Sequence, residues 1–198
     1  MEALKRNIIL QKSVDLFFCN GIQHITMDDI AEKCGISKKT IYRHFQNKDD
    51  LLYEAIKLEA FEVKKNIDRI RLKNDNALEE LQKFFKYINN VARVISPSFG
   101  RDLKKYHNSN LFKAITFKDK IIIPFVIGNL EKGKREGLYK EDIDAVEICK
   151  SYDELSNAVY FNYYFTDSSI NSKSLEFLST LFLYGLVSKI GWEHLHKP

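Results

Sequence analysis

Between residues 26 and 48 the chain reads T-M-D-D-I-A-E-K-C-G-I-S-K-K-T-I-Y-R-H-F-Q-N-K, and this stretch restricts the fold more than any other. Its spacing predicts two short helices joined by a tight turn. Thr26 is an N-cap residue with Asp29 three positions on, the reach of a capping box with Asp in place of Glu. Ile30 and Ala31 face inward, and Gly35 ends the first helix because glycine takes the left-handed conformation without a Cβ clash. Ile36 fills the corner. Ser37 caps a second helix on which Ile41 and Phe45, four apart, share one face. The opposite face carries Lys38, Lys39, Thr40, Tyr42, Arg43 and His44. The pair has the form of a helix-turn-helix with a cationic, polar recognition surface.

Charge supports that reading. From residue 33 to 48 there are five Lys or Arg residues and no Asp or Glu, although the whole chain is only +4. Basic charge concentrated on one short segment suits phosphate binding better than a high overall pI does. A Lys-rich face is commonly just a solvated surface, but the Gly-Ile-Ser turn between two capped helices argues for more. Lys38, Lys39 and Arg43 are the candidates for donating to guanine O6 and N7. Thr26, Thr40, Tyr42 and Lys48 are read as phosphate contacts, with Ser37 on the same surface.

These residues resemble a known family. Leu10, Leu16, Phe17 and Gly21 in the run 7–21, followed by I-T-M-D-D-I-A-x-x-x-G-I-S-x-x-T-I-Y-x-H-F-x-N-K-x-x-L, are similar to the pattern of TetR-family transcriptional regulators over roughly the first 55 residues. One departure lies in the first helix, where the family places a small apolar pair and this chain has Lys12 and Ser13. The resemblance implies a DNA-binding regulator, most often a repressor, with His44 at a DNA-contacting position. It also implies that the C-terminal half is a divergent helical domain for effector binding and dimerisation.

The rest of the chain reads as all-α, with about nine helices in total. Glycine and proline number eight and three in 198 residues, too few for a turn-rich β fold. A first helix over 2–19 buries Ile9, Leu10, Leu16 and Phe17. Asn47 caps a fourth helix over 48–70, with Asp49 and Asp50 in its first turn, where the helix dipole favours negative charge. Leu52, Ile56, Ala60, Val63, Ile67 and Ile70 recur along it in steps of three and four. The expected division is therefore a DNA-binding domain over 1–47 and an effector-binding and dimerisation domain over 48–198, with helix 48–70 connecting them.

A fifth helix runs from Leu78 until Pro97 stops it, 98–106 suits a short helix with a turn at 107–110, and the next covers 111–134, its apolar centre at 121–127 buried and kinked by Pro124. Asp142 or Asp144 starts a helix reaching 165. The last helix, 174–195, is apolar on almost every side, which for a chain of this size points to a subunit interface and a homodimer.

Catalytic and metal chemistry find no support. There is no Gly-rich phosphate loop, nucleophile elbow or H-E-x-x-H, and the paired carboxylates at 28–29 and 49–50 are explained as helix starts. His194 and His196 alternate near the chain's end and make no preformed metal site. The expectation is no enzyme, no cofactor and no metal. Cys19, Cys34 and Cys149 have no metal spacing, fit a reducing cytoplasm and read as small buried residues. Cys34 borders the basic turn, where neighbouring cations lower a thiol pKa. No signal peptide or membrane span is legible.

Aromatic residues crowd the C-terminal half, and most fill the core. Given the resemblance, Phe84, Tyr87, Phe99, Tyr106, Phe117, Phe125, Tyr160 and Tyr164 are the candidates for lining a pocket for an apolar or aromatic small molecule. The partners expected are thus operator DNA, a second copy and such an effector. The competing reading is a helical protein–protein interaction module in which the helix-turn-helix only packs. It would tolerate loss of the cations at 33–48. A DNA-processing enzyme would need a carboxylate cluster or nucleophile that the chain lacks.

Overall fold

The computed structural model describes residues 2–105, 118–165 and 172–196. Among them are ten α-helices and no strand longer than an isolated bridge. They are α1 (Glu2–Asn20), α2 (Met27–Cys34), α3 (Lys38–Tyr42), α4 (Lys48–Lys73), α5 (Ala77–Val94), α6 (Pro97–Lys105), α7 (Ile123–Arg135), α8 (Ala145–Phe165), α9 (Ser172–Leu186) and α10 (Lys189–Leu195). A π-helical turn, Lys118–Ile122, precedes α7. No described helix is long and apolar enough to cross a membrane. The described residues form two compact units, 2–63 with 94–105, and 64–93 with 118–165 and 172–196. The division falls inside α4.

In the first unit, Ile9, Phe17, Ile22, Ile30, Ile41, Phe45, Leu51 and Leu52 are almost completely buried in one core. Each large side chain removed from water stabilises by about 1.5–3 kcal/mol, which is what allows helices as short as α2 and α3 to persist. Ser13, the departure in α1, is fully buried and its hydroxyl donates to the Ile9 carbonyl at 2.7 Å. A polar residue is thus accommodated without an orphaned donor.

The second unit is built around a buried polar network rather than an uninterrupted apolar core. Tyr139 is 1% exposed, and its hydroxyl lies 3.0 Å from the Ala77 carbonyl and 3.1 Å from Asn129 Oδ1. The Asn129 amide donates to the Ala77 carbonyl and to Glu80, and Lys132 pairs with Glu80. These contacts tie α5 to α7, with the single phenol proton of Tyr139 facing two acceptors. Burial pushes the Tyr139 phenol far above its ordinary range.

Four expectations change. The helix expected over 111–134 with a kink at Pro124 is described from residue 118, as a π turn and then α7, with Pro124 in the first turn of α7. Proline is tolerated there because the first amides of a helix have no intrahelical acceptor. Nor is 121–127 buried throughout: Phe125 and Val126 are, but Pro124 is exposed. The last helix divides at Val187, where an antiparallel bridge to Tyr139 replaces helical bonding. Ser188 donates to the Gly137 carbonyl, caps α10 and accepts from the Gly191 amide at 3.1 Å. Cys149 is buried, but Cys19 is exposed.

Candidate nucleic-acid interface

The helix-turn-helix is positioned by caps that the local sequence dictates. Thr26 Oγ1 accepts from the Asp29 amide at 3.2 Å and donates to Asp29 Oδ2 at 2.8 Å, while the Thr26 amide donates to the same carboxylate at 2.7 Å. The Thr26 amide and hydroxyl hold the Asp29 carboxyl below its ordinary value. Losing such a cap ordinarily costs about 1 kcal/mol. Gly35 has φ +66°, and the amides of Gly35 and Ile36 return to Glu32 and Ala31, each at 3.0 Å. Two orphan carbonyls are closed within a single turn. The Ser37 hydroxyl then accepts from the Thr40 amide at 3.2 Å.

With Ile41 and Phe45 drawn into the core, α3 turns Lys38, Lys39, Tyr42 and Arg43 to solvent, with Thr40 half-buried beside them. The cations differ. Lys38 Nζ lies 2.7 Å from Asp28 Oδ2, and that hydrogen bond raises its pKa. Lys39 and Arg43 face solvent with no carboxylate partner among the described residues. They are the cations of α3 most available to a nucleic acid.

Other expected contacts are engaged within the protein. Thr26 donates its hydroxyl proton to Asp29 Oδ2, while Ser37 Oγ accepts from the Thr40 amide and shares a hydrogen bond with the Thr40 hydroxyl. The His44 side chain is 9% exposed and stands 3.5 Å from Glu2. Lys48 donates its amine to the Ile22 carbonyl, and burial pushes its pKa down against the nearby carboxylates of Asp49, Asp102 and Asp29. The Cys34 thiol is raised by burial, with Lys12 opposing only weakly, so the activation expected beside the basic turn is absent.

The residues expected to line an effector pocket do not form one group. Phe84 and Phe125 pack at 4.8 Å in the second unit, with the Arg71 guanidinium 5.1 Å from the Phe125 ring. Tyr87 accepts from the Asn66 amide at 3.4 Å. Phe99 belongs instead to the first unit, where its ring lies 4.5 Å from Phe18 and closes that core. Tyr106 and Phe117 lie outside the described residues. Tyr160 and Tyr164 fall on α8, but their side chains also lie outside them.

A more coherent cluster went unread. Phe85, Tyr152 and Phe182 enclose one another at 5.3, 5.8 and 4.4 Å, beside Ser179 Oγ, which approaches Tyr152 at 3.0 Å and Asn89 at 3.3 Å. The signal available was the spacing of Cys149, Tyr152 and Ser156, which places three residues on one face of α8.

Residues 9–55 match the sequence model described as bacterial regulatory proteins, tetR family. The chain is 25% identical over 169 residues to the uncharacterised HTH-type transcriptional regulator YdeS of Bacillus subtilis, spanning 82% of this chain and 80% of that protein. Its fold is similar to a TetR-family transcriptional regulator from Agrobacterium tumefaciens, with TM-score 0.79 at 14% identity over 95% of this chain and 100% of the other. It is also similar to a transcriptional regulator from Saccharomonospora viridis solved with choline, with TM-score 0.75 at 18% identity over 94% and 100% of the two chains. At these identities the structural likenesses establish the fold alone.

Proposed function

We propose that this chain, whose residues 9–55 match the tetR-family sequence model, is a DNA-binding transcriptional regulator of the TetR family, acting as a homodimeric repressor released from a palindromic operator by a small molecule. The observation that carries the DNA-binding part is the doubly capped α2–α3 pair presenting Lys39 and the C-cap residue Arg43 to solvent, with no carboxylate partner among the described residues. Cations in that position neutralise phosphates and donate to guanine edges.

Dimerisation is supported by apolar side chains without cover. Phe177, Leu181 and Tyr184 of α9 are 64%, 53% and 40% exposed, and Val146 and Leu155 of α8 are 61% and 55% exposed. An added Cβ at Gly185 would meet nothing within 4 Å, so a helix can approach there closely. Phe177, Leu181 and Tyr184 share one exposed face of α9, and such a stripe suits a second copy making a four-helix arrangement about a two-fold axis. A dimer of helix-turn-helix units reads half-sites about one helical turn, or a multiple of it, apart.

For the effector, the Phe84–Phe125 and Phe85–Tyr152–Phe182 clusters favour an apolar or aromatic molecule. Because α4 contributes residues to both units, it is the element through which binding would alter the DNA-binding half. Only a difference in effector affinity between two arrangements of that helix can shift the equilibrium.

The test is selection of bound duplexes from random DNA with the full-length chain. The expected product is an inverted repeat whose half-sites are one or more helical turns apart. Recovery of no enriched sequence, with binding that scales only with duplex length, would refute operator recognition.

A further inference from the structure

The turn between α1 and α2 is held by two charged residues from elsewhere in the first unit. Asp102 of α6 is 6% exposed, and its Oδ2 accepts from the amides of Ile22 at 2.7 Å and Gln23 at 2.8 Å. On the other side of the same residue, the Ile22 carbonyl accepts from Lys48 at the start of α4. The Ile22 backbone therefore presents its N–H to an anion and its C=O to a cation. Both hydrogen bonds are charge-assisted.

Backbone and packing support the arrangement. Gly21 sits at φ +89°, and a Cβ there would lie 2.8 Å from Ser98 Cβ and 2.9 Å from Asp102 Oδ2. No larger residue allows α6 so close. The Ser96 amide donates to the Phe18 carbonyl at 2.7 Å, so the start of α6 is anchored on the end of α1 as well. What these bonds hold is the segment leading directly into Thr26, the N-cap of α2.

We propose that Asp102 and Lys48 are positioning residues for DNA binding: together they latch the Ile22 backbone and so set where α2 and α3 stand on α4, without touching DNA themselves. The proposal rests on α3 being the DNA-reading helix. It assigns Lys48 a different part from the phosphate contact that its place at the start of α4 suggests. The Lys48 ammonium keeps two further N–H donors beside the bond to Ile22, so the salt slope separates the two parts.

Three variants of the full-length chain test this: Asp102→Asn, which keeps an acceptor but removes the charge, Lys48→Met, which keeps the aliphatic stem, and the double variant. Each is titrated against the selected duplex over a salt series, with helical content and thermal stability followed in parallel. Each single variant should lose roughly tenfold in affinity while remaining folded at the assay temperature. The slope of log affinity against log salt should stay at the wild-type value, since no phosphate contact is removed. The double variant should lose little more than the worse single, because both residues act through one backbone segment.

A slope reduced by about one for Lys48→Met would show that Lys48 holds a phosphate and would overturn the proposal. So would wild-type affinity in Asp102→Asn, or losses that multiply in the double variant. Loss of affinity that merely follows the unfolded fraction would overturn it too, leaving only a stability role. Wild-type chain is run first: if it binds no duplex, the DNA-binding reading itself fails, and with it this inference. Wild-type binding with unaffected variants would sink the latch alone.

Discussion

Gly133→Ala should be among the most damaging single-methyl additions available to this chain. The added Cβ would stand 2.0 Å from Tyr139 Cδ2 and 2.2 Å from Cε2, well inside contact distance. The ring has nowhere to move, since it is 1% exposed and its hydroxyl is engaged by Ala77 and Asn129. Overpacking alone costs about 1–3 kcal/mol, and a displaced hydroxyl leaves buried partners unsatisfied for about 1–3 kcal/mol more. For a chain of this length each kcal/mol lowers Tm by about 2–4 °C. Thermal unfolding should therefore shift down by roughly 5–20 °C, with Tyr139→Phe milder because only the hydroxyl is lost. An unchanged Tm for Gly133→Ala would mean that α7 and the 138–140 segment do not pack as described.

The second large effect concerns assembly. Phe177→Glu combined with Leu181→Glu places two charges one turn apart on the exposed stripe of α9, where neither side chain contributes to the core of its own unit. Far-UV dichroism should barely change, whereas sedimentation at micromolar concentration should fall from twice the 23.2 kDa chain mass to that mass once. Operator affinity should drop by a factor on the order of 100 or more, because one half-site no longer delivers the other at high effective concentration. A double variant that still sediments as a dimer would place the interface elsewhere.

How much of this was legible depended on the distance in sequence between the groups concerned. The helix-turn-helix was readable because its determinants are contiguous: Thr26 with Asp29, Gly35, Ser37 with Thr40, and Ile41 with Phe45 all lie within four residues of one another. Such bonds follow from spacing. Asp102 and Ile22 are 80 residues apart, and Glu80 and Lys132 are 52 apart. No periodicity relates either pair. The last helix looked continuous because its apolar pattern runs through Val187, yet Leu138 and Lys140 compete for the backbone there. The Ser188 amide goes to the Leu138 carbonyl and the Lys140 amide to Leu186. Gly191 makes that approach possible, since a Cβ on it would fall 2.1 Å from the Leu138 oxygen.

The aromatic residues divide for a related reason. Composition marks rings as core material but not which core. Phe99 read as one of a C-terminal series, yet α6 returns it to the first unit against Phe18. The hydroxyls of Thr26 and Ser37 show the converse limit. Their capping role follows from sequence, and at Thr26 the capping box also takes the hydroxyl proton that a phosphate would need.

The central claim is that the exposed cations of α3 read base sequence rather than simply attracting DNA. It is tested most directly by titrating wild type and Lys39→Ala against the selected operator and a scrambled duplex of the same length at one fixed salt concentration. Wild type should prefer the operator clearly. Lys39→Ala should lose about 1–3 kcal/mol on the operator and far less on the scrambled duplex. Equal losses on the two duplexes would show that Lys39 holds only phosphate, and a wild type without preference would contradict sequence reading altogether.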